Sequence, residues 1–351
     1  MKKYQVVELD IENKHAGSKA VNDVEIIADS MGYNVKLYIQ NYKFKKKWYN
    51  SILNQFSRMK SWFSLYRSIE PSSILLLQHP YRRIQFFRDF IIERLKKRKN
   101  VKIISIIHDI DELRDEVLNL HHKKERAASF KDSSILVVHN QSMKQFVMSK
   151  GVPESKIVVL GVFDYLYNGD YNPPKFTRKI NIAGNFEKWK SGYVYELSRI
   201  GSVGFNLFGP NYKKKEKQQN VDYKGSFSPD ELVSKLNEGF GLVWDGPELN
   251  TCTGGTGIYL KYNNPHKLSL YLASGIPVII WKEAALAPFI QENGLGFAID
   301  SLYDLPGLLN SISREKYDEM VKKMDKESYL IRKGEYMRNA FISAENKLAN
   351  P

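Results

Sequence analysis

The segment richest in chemistry runs from Gly254 to Lys267 and reads GGTGIYLKYNNPHK. Asn264 is a residue type that caps helices, and Pro265 suits the first helical position. Lys267 then falls in the first turn, where free N–H groups and the helix dipole already gather positive charge. A cation is unfavourable there by itself, so its presence calls for a negative ligand, and a diphosphate is a ligand that answers it. His266 lies between Pro265 and Lys267, and Gly255 and Thr256 belong to the preceding glycine-rich loop. Those glycines match neither the Walker A nor the G-x-G-x-x-G pattern. The bland alternative is a surface loop followed by a solvated helix end. A second constellation, His108-Asp109, follows the predicted strand Val101–Ile107, and the carboxyl end of such a strand is where α/β sheets present ligand-facing groups. Either side chain could accept a proton from an attacking hydroxyl. Asp109 equally suits a helix cap, with Glu112 three residues on as its capping-box partner. His79 and His15 occupy similar positions and are lesser candidates.

Residues 263–280 (NNPHKLSLYLASGIPVII) resemble the donor-nucleotide segment of GT-B glycosyltransferases. The chain is similar to bacterial galactofuranosyltransferases of surface-polysaccharide clusters and to streptococcal glucosyltransferases that extend GlcNAc on serine-rich-repeat adhesins. The likeness continues through residues 16–20 (AGSKA), 107–109 (IHD), 182–185 (IAGN), 208–212 (FGPNY) and 241–244 (GLVW). It implies a hexosyltransferase with a UDP-hexose as co-substrate, no further cofactor, and a carbohydrate acceptor carried on lipid or protein. Galactofuranose is the favoured sugar, with glucose transfer to a GlcNAc-modified adhesin as the alternative. By the same resemblance Lys267 holds the diphosphate, Tyr212 lies near the uridine, and Arg178 or Lys190 adds positive charge. Tyr212 and Arg178 also have ordinary readings, as an aromatic over a strand end and a surface arginine. Gly184 and Asn185 follow the first strand of the second domain, where small residues let a backbone approach a ligand. The loop with Lys14, His15, Gly17 and Ser18 borders the acceptor site by resemblance; read alone it is a strand-to-helix turn capped by Ser18.

Retaining members of that fold carry a glutamate pair around the donor helix. The corresponding positions here are Tyr262 and Leu270, so an inverting displacement is expected. Asp109-Ile-Asp111 formally spells the acidic pair that binds a cation in the other major glycosyltransferase fold. The positive donor helix already compensates the charge, and no metal is expected.

These groups need two scaffolds. Short β-branched runs alternate with amphipathic stretches in two successive series, the pattern of βα units around parallel sheets. The first has strands at Gln5–Leu9, Asn34–Ile39, Ser73–Gln78, Val101–Ile107 and Ser134–Val138. Helices are predicted at Ala20–Met31, Tyr49–Ile69, Arg82–Arg98 and Asn140–Lys150. After a connector at Gly161–Lys175, strands are predicted at Ile180–Ala183, Gly204–Phe208, Asp222–Lys224, Gly241–Trp244, Pro277–Trp281 and Gly296–Ile299. The helices fall at Ser191–Arg199, Pro229–Glu238, His266–Ser274 and Ala284–Glu292, and Arg314–Lys347 reads as helical throughout. The expected α/β fold is GT-B: two Rossmann-like, doubly wound domains facing a cleft. The boundaries are 1–165 on the acceptor side, 176–320 for the nucleotide-sugar, and 321–351 crossing back to the first domain.

With 351 residues, 42% apolar and 26% charged, the chain is long enough for two cores and ordinary in composition. One cysteine, Cys252, rules out an intramolecular disulfide and a cysteine-based zinc site. The start has no signal-like apolar core, and no run reaches the roughly 18–20 apolar residues of a spanning helix. The chain is therefore read as cytoplasmic, at the inner face of the plasma membrane if it meets a membrane. A periplasmic sugar-binding protein is disfavoured on the same ground. The net charge of +14 favours anionic partners. Of the clusters at Lys43–Lys47, Arg94–Lys99 and Lys213–Lys217, the first, with Phe44, Trp48 and Tyr49, suits a peripheral membrane contact. No nucleic-acid motif accompanies them. Homo-oligomerisation through the C-terminal segment and a non-catalytic, nucleotide-sugar-binding role remain alternatives of other classes.

Overall fold

The computed structural model describes residues 1–10, 19–41, 47–81, 85–114, 120–213 and 219–350. The first half is βα-wound: β1 (Lys3–Asp10), α1 (Lys19–Ser30), β2 (Val35–Asn41), α2 (Lys47–Ser68), β3 (Ile74–His79), α3 (Arg88–Lys99) and β4 (Lys102–Ile107). It continues through α4 (Asp111–Arg114), α5 (Leu120–Asp132), β5 (Ile135–Val138), α6 (Gln141–Ser149) and β6 (Ile157–Val159). These strands form one parallel sheet in the order β2-β1-β3-β4-β5-β6. Successive residues of β3 alternate between two cores, as period 2 requires. Ile74 and Leu76 pack beneath α1, while Leu75 and Leu77 face Trp62, Leu65 and Ile91 of α2 and α3.

The second half holds β7 (Lys175–Ala183), α7 (Lys188–Ser191), a 3-10 stretch Gly192–Arg199, β8 (Gly204–Phe208), β9 (Val221–Gly225), α8 (Pro229–Lys235) and β10 (Glu238–Val243). Then come α9 (Gly254–Tyr259), α10 (His266–Ser274), β11 (Val278–Trp281), α11 (Ala287–Glu292), β12 (Gly296–Ile299) and α12 (Leu305–Ser311). Its parallel sheet runs β12-β11-β10-β7-β8-β9 over a single large core. Two parallel-sheet, Rossmann-like domains thus make up the chain.

The C-terminal segment is not one helix. α13 (Arg314–Lys333) packs on α10 of the second domain, and Gly334, with φ 79°, ends it before α14 (Glu335–Ala349). A left-handed residue closes a helix but cannot continue one. α14 places Met337, Ala340, Phe341 and Ala344 in the first domain's core, and Asp164 of the connector accepts from Tyr336 N and Met337 N at 3.2 and 2.7 Å.

Other departures from the sequence reading have local causes. The glycine-rich stretch from Gly254 is the short helix α9, and α3 begins at Arg88 after Phe87 in the left-handed region; the predicted start at Arg82 lies outside the described residues. The span Ser191–Arg199 is 3-10 apart from its first residue. β6, α4 and α5 had no clear periodic signal because they are short or strongly polar.

Behind β3 lies a buried charge network: Glu125 accepts from Arg88 Nη1 at 2.9 and 2.7 Å, from Tyr81 N at 3.2 Å, and meets His79 Nδ1 at 3.4 Å. Burial alone would raise the Glu125 carboxyl, but the His79 hydrogen bond and the Arg88 guanidinium outweigh it and hold it at about 2. Unfolded glutamate takes its proton at about pH 4.3, well above the folded value, so acid favours unfolding. This contribution is fully present above about 4.3 and lost as pH falls toward about 2. Glu125→Gln should destabilise by about 3–5 kcal/mol at neutral pH, the scale of breaking a buried pair, and flatten the acid limb in urea melts taken at several pH values.

Candidate functional site

Four strand ends face one another across the cleft: β3 and β4 from the first domain, β7 and β10 from the second. Their carboxyl ends carry His79, His108-Asp109, Gly184-Asn185 and Trp244-Asp245, followed by the amino ends of α9 and α10.

α10 begins at His266, with Pro265 as its N-cap and no side-chain cap. Asn264 is therefore not the cap, and its side chain turns to the other domain. Asn264 Nδ2 donates to His139 O at 3.0 Å and Gly161 O at 2.9 Å, and its Oδ1 accepts from Asn140 Nδ2 at 2.8 Å. Its backbone N donates to His139 Nδ1 at 2.9 Å, while His139 Nε2 donates to Ile107 O at 2.9 Å. That geometry requires neutral His139, in agreement with burial, which pushes its imidazole down to about 4. Sequence reasoning gave Asn264 the right residue type for a cap, but three buried partners outcompete the helix end. Asn264→Ala should destabilise by at least about 2 kcal/mol, because it leaves buried polar groups unpaired. It should also split a single calorimetric transition in two, since these bonds couple the domains.

Lys267 sits where the sequence puts it, in the first turn of α10. Its Nζ donates to Trp244 O at 2.9 Å and to Asp245 Oδ1 at 2.8 Å. Asp245 is buried and offsets the ammonium at the positive helix end. Two of the three ammonium donors are thereby used, and one is left for a ligand. Lys190, at the end of α7, has no ion-pair or hydrogen-bond partner for Nζ among the described residues. Burial lowers its pKa, Asp245 works against that, and Lys267 and Arg114 add to the lowering. A partly desolvated ammonium with other cations around it is a site awaiting an anion.

Gly255 and Thr256 lie in α9, and the Thr256 hydroxyl points at Lys190 O, 3.5 Å away. Gly257 must be glycine, because a Cβ there would lie 2.8 Å from Cys252 C and 2.9 Å from Asp245 O. Gly184 sits with open space at its Cα, and Asn185 Oδ1 accepts from Glu187 N and Asn211 Nδ2. Tyr212 stacks on Tyr195, with ring centroids 5.5 Å apart, and adjoins Phe186 and Tyr223 in an aromatic wall beyond β8. His266 packs against Tyr165 and Phe163 of the connector, and burial pushes it down to about 4.

Arg178 does not join this group. It sits toward the amino end of β7, where Nε donates to Leu309 O at 2.9 Å and Nη2 to Ile312 O at 3.3 Å, closing the end of α12. Of the two cations weighed for this role, Lys190 is the one near Lys267. Lys14, His15, Gly17 and Ser18 lie outside the described residues, as do Lys43–Lys46 and Lys214–Lys217 of the basic clusters.

Across the cleft, Asp109 keeps 39% of its side chain exposed, yet the protein around its carboxyl raises its pKa by desolvation, opposed chiefly by Arg114 at 3.8 Å. The Tyr259 hydroxyl, at the end of α9, accepts from Ile110 N at 2.9 Å and works against the rise of the Asp109 carboxyl. α4 begins at Asp111, two residues past Asp109, and Glu112 pairs with Arg126. His108 Nε2 lies 2.7 Å from Gln78 Oε1, with its ring stacked on Phe163. Asp111 is tied to Arg114 at 2.6 Å. A small pocket opens beside Asp109, lined also by His79, Asp111, Glu125 and Arg126. No three acidic, histidine or cysteine side chains converge in a metal-binding arrangement among the described residues. Asp245, Arg114 and Tyr259 were missed from sequence; only Asp245, directly after a predicted strand, gave a usable signal.

Comparison with known proteins agrees with this architecture. The chain is 37% identical over 249 residues to the β-1,6-galactofuranosyltransferase WbbI of Escherichia coli (strain K12), covering 68% of this chain and 69% of that one. It is 28% identical to Glucosyltransferase 3 of Streptococcus gordonii over 93% of this chain and 92% of that one. The solved lipopolysaccharide outer core galactosyltransferase WaaB superposes with a TM-score of 0.59 at 14% identity, covering 98% of this chain and 99% of that one, a likeness of fold. Residues 3–162 match the N-terminal domain, and 180–344 the C-terminal domain, described as Glucosyltransferase 3-like. With both halves matched in order and the cleft between them, the chain belongs to the Glucosyltransferase 3-like family of GT-B glycosyltransferases.

Proposed function

We propose that this glycosyltransferase moves a hexose, galactofuranose in first place, from a UDP-sugar to a sugar hydroxyl during synthesis of a cell-surface polysaccharide or glycoconjugate. The observation that carries the reading is Lys190, whose ammonium has no hydrogen-bond or ion-pair partner among the described residues, beside Lys267 and the start of α10 and across from Asp109. The diphosphate lies against Lys190, Lys267 and the α10 amino end; Tyr212 borders the uridine, with Gly184, Asn185, Gly255 and Thr256 along the same wall. Asp109 takes the proton from the acceptor hydroxyl, whose oxygen bonds to the anomeric carbon as the bond to the β-phosphate breaks. The electron pair leaves on UDP, where the cations and helix end stabilise it. Inversion follows from attack opposite the leaving group. No metal enters this scheme: the lysines supply the charge compensation, and Arg114 already engages both Asp109 and Asp111.

Glucose transfer to a GlcNAc-bearing adhesin is the second reading, favoured by the nearly full-length match to the streptococcal relative. We place the reaction on the cytoplasmic side; no helix of the described residues is long and apolar enough to cross a membrane. The test offers UDP-galactofuranose, UDP-glucose and UDP-galactopyranose in parallel and measures UDP release with and without acceptor, alongside thermal shift. Selective, acceptor-dependent release is the expected result. Binding without release for every acceptor would favour a non-catalytic role, and neither binding nor release would overturn the donor-site reading.

A further inference from the structure

α2 has two distinct faces. Asn54, Arg58, Trp62 and Leu65 form its buried row, while Ile52, Phe56, Met59 and Phe63 recur at helical spacing on nearly the opposite face. Phe86 and Phe87, just before α3, continue that second face: Phe86 N donates to Gln55 Oε1 at 3.3 Å, and the Phe63 and Phe87 rings lie 6.0 Å apart. Phe90 follows on α3. Ile52, Phe56, Phe86, Phe87 and Phe90 are each between 43% and 58% exposed. Scattered exposed apolar residues are ordinary, whereas a contiguous group of large ones marks an interaction surface.

The charge around this face identifies its occupant. α2 contains no acidic residue, and Lys60 and Arg67 project beside the apolar row. On α3, Arg94 lies 4.3 Å over the Phe90 ring, and the acids Asp89 and Glu93 are each already paired, with Arg88 and Lys97. A second copy of the chain would bring the same cationic face against itself under two-fold symmetry, and like charges would meet. An anionic bilayer instead accepts aromatic side chains at its interface and lysine and arginine at its headgroups.

We propose that this face docks the chain on an anionic lipid bilayer. The amino-terminal half of α2 follows the carboxyl end of β2, and Phe86 follows that of β3, so the docking face shares a rim with Asp109. Resting on the transferase reading, this favours an acceptor carried on lipid, delivered to the first-domain side of the cleft.

The test is co-sedimentation of the full chain with large vesicles of phosphatidylglycerol mixed into phosphatidylcholine, compared with phosphatidylcholine alone. Binding should need the anionic lipid and weaken at least tenfold at high salt. The triple variant Ile52→Ser, Phe56→Ser, Phe86→Ser should bind at least tenfold more weakly, and so should Lys60→Glu with Arg67→Glu, with thermal unfolding unchanged in both. UDP release to a water-soluble acceptor should also be unchanged. Absence of vesicle binding, equal binding to neutral vesicles, equal binding by the triple variant, or a concentration-dependent dimer abolished by that variant would each overturn the proposal. Vesicle binding needs no sugar nucleotide, so its failure and a failure of UDP release are separate results.

Discussion

Lys267→Ala is expected to lower kcat/KM for the UDP-sugar by about 10²- to 10³-fold, the scale of removing one preorganised group that stabilises a developing oxyanion. The same change should also weaken the unliganded fold. Asp245 is buried and bonded to this ammonium at 2.8 Å, so alanine leaves an uncompensated carboxylate, at a cost of about 3–5 kcal/mol. The two effects separate in paired variants. Asp245→Asn combined with Lys267→Met should recover most of the stability, since neither residue is then charged, and none of the activity. Lys190→Ala should show the complementary pattern. Its ammonium has no partner among the described residues and burial works against its charge, so removal should leave the unliganded fold as stable or more so while kcat/KM falls by a similar factor. Steady-state kinetics and urea melts on these three proteins check both halves. A fully active Lys190→Ala protein would place the diphosphate elsewhere.

Asp109→Asn should reduce kcat by about 10²- to 10⁴-fold, the contribution of a positioned general base, with little change in KM for the donor. The pH profile carries a second signature. Desolvation raises the folded pKa of Asp109, so its ionised, proton-accepting form is lost as pH falls through a value above the usual carboxylate range near 4. The acid limb of kcat should therefore lie above that range. Arg114 opposes the rise, so Arg114→Ala should move the limb to still higher pH, and Tyr259→Phe should move it in the same direction by removing a hydroxyl that also opposes it. Full activity in Asp109→Asn would direct attention to His108, held against Gln78 at the same strand end.

The legible parts of the sequence were those where local chemistry and tertiary structure agree. β8 and α10 fall where their patterns put them, because each is a run of core side chains between residues that stop it: Gly209 after β8, and Gly275, with φ 73°, after α10. Lys267 was legible for the opposite reason, since an uncompensated cation at a helix start conflicts with the dipole and so points to a ligand. Asn264 misled because a good cap residue is also a good bridge, and only the fold reveals His139, Asn140 and Gly161 around it. Arg178 misled because a cation's destination depends on which end of its strand it occupies, and its register with the end of α12 is a long-range fact. Tyr259 was hidden because its hydroxyl meets Ile110, 149 residues away, and Arg114 because its pairing with Asp109 and Asp111 depends on how the chain turns after β4.

The placement of α14 has a consequence for how the protein is made. Met337, Phe341 and Ala344 complete the apolar layer beneath β3, β4 and β5, and Glu345 receives Lys3 Nζ at 2.7 Å and the Tyr33 hydroxyl at 2.9 Å. The ribosome delivers Lys3 342 residues ahead of Glu345, at about 5–20 residues per second. For most of that interval the nascent amino-terminal sheet has one apolar side unroofed. The first-domain core therefore closes only on a helix made long after its first strand, and chaperone dependence should concentrate on that half.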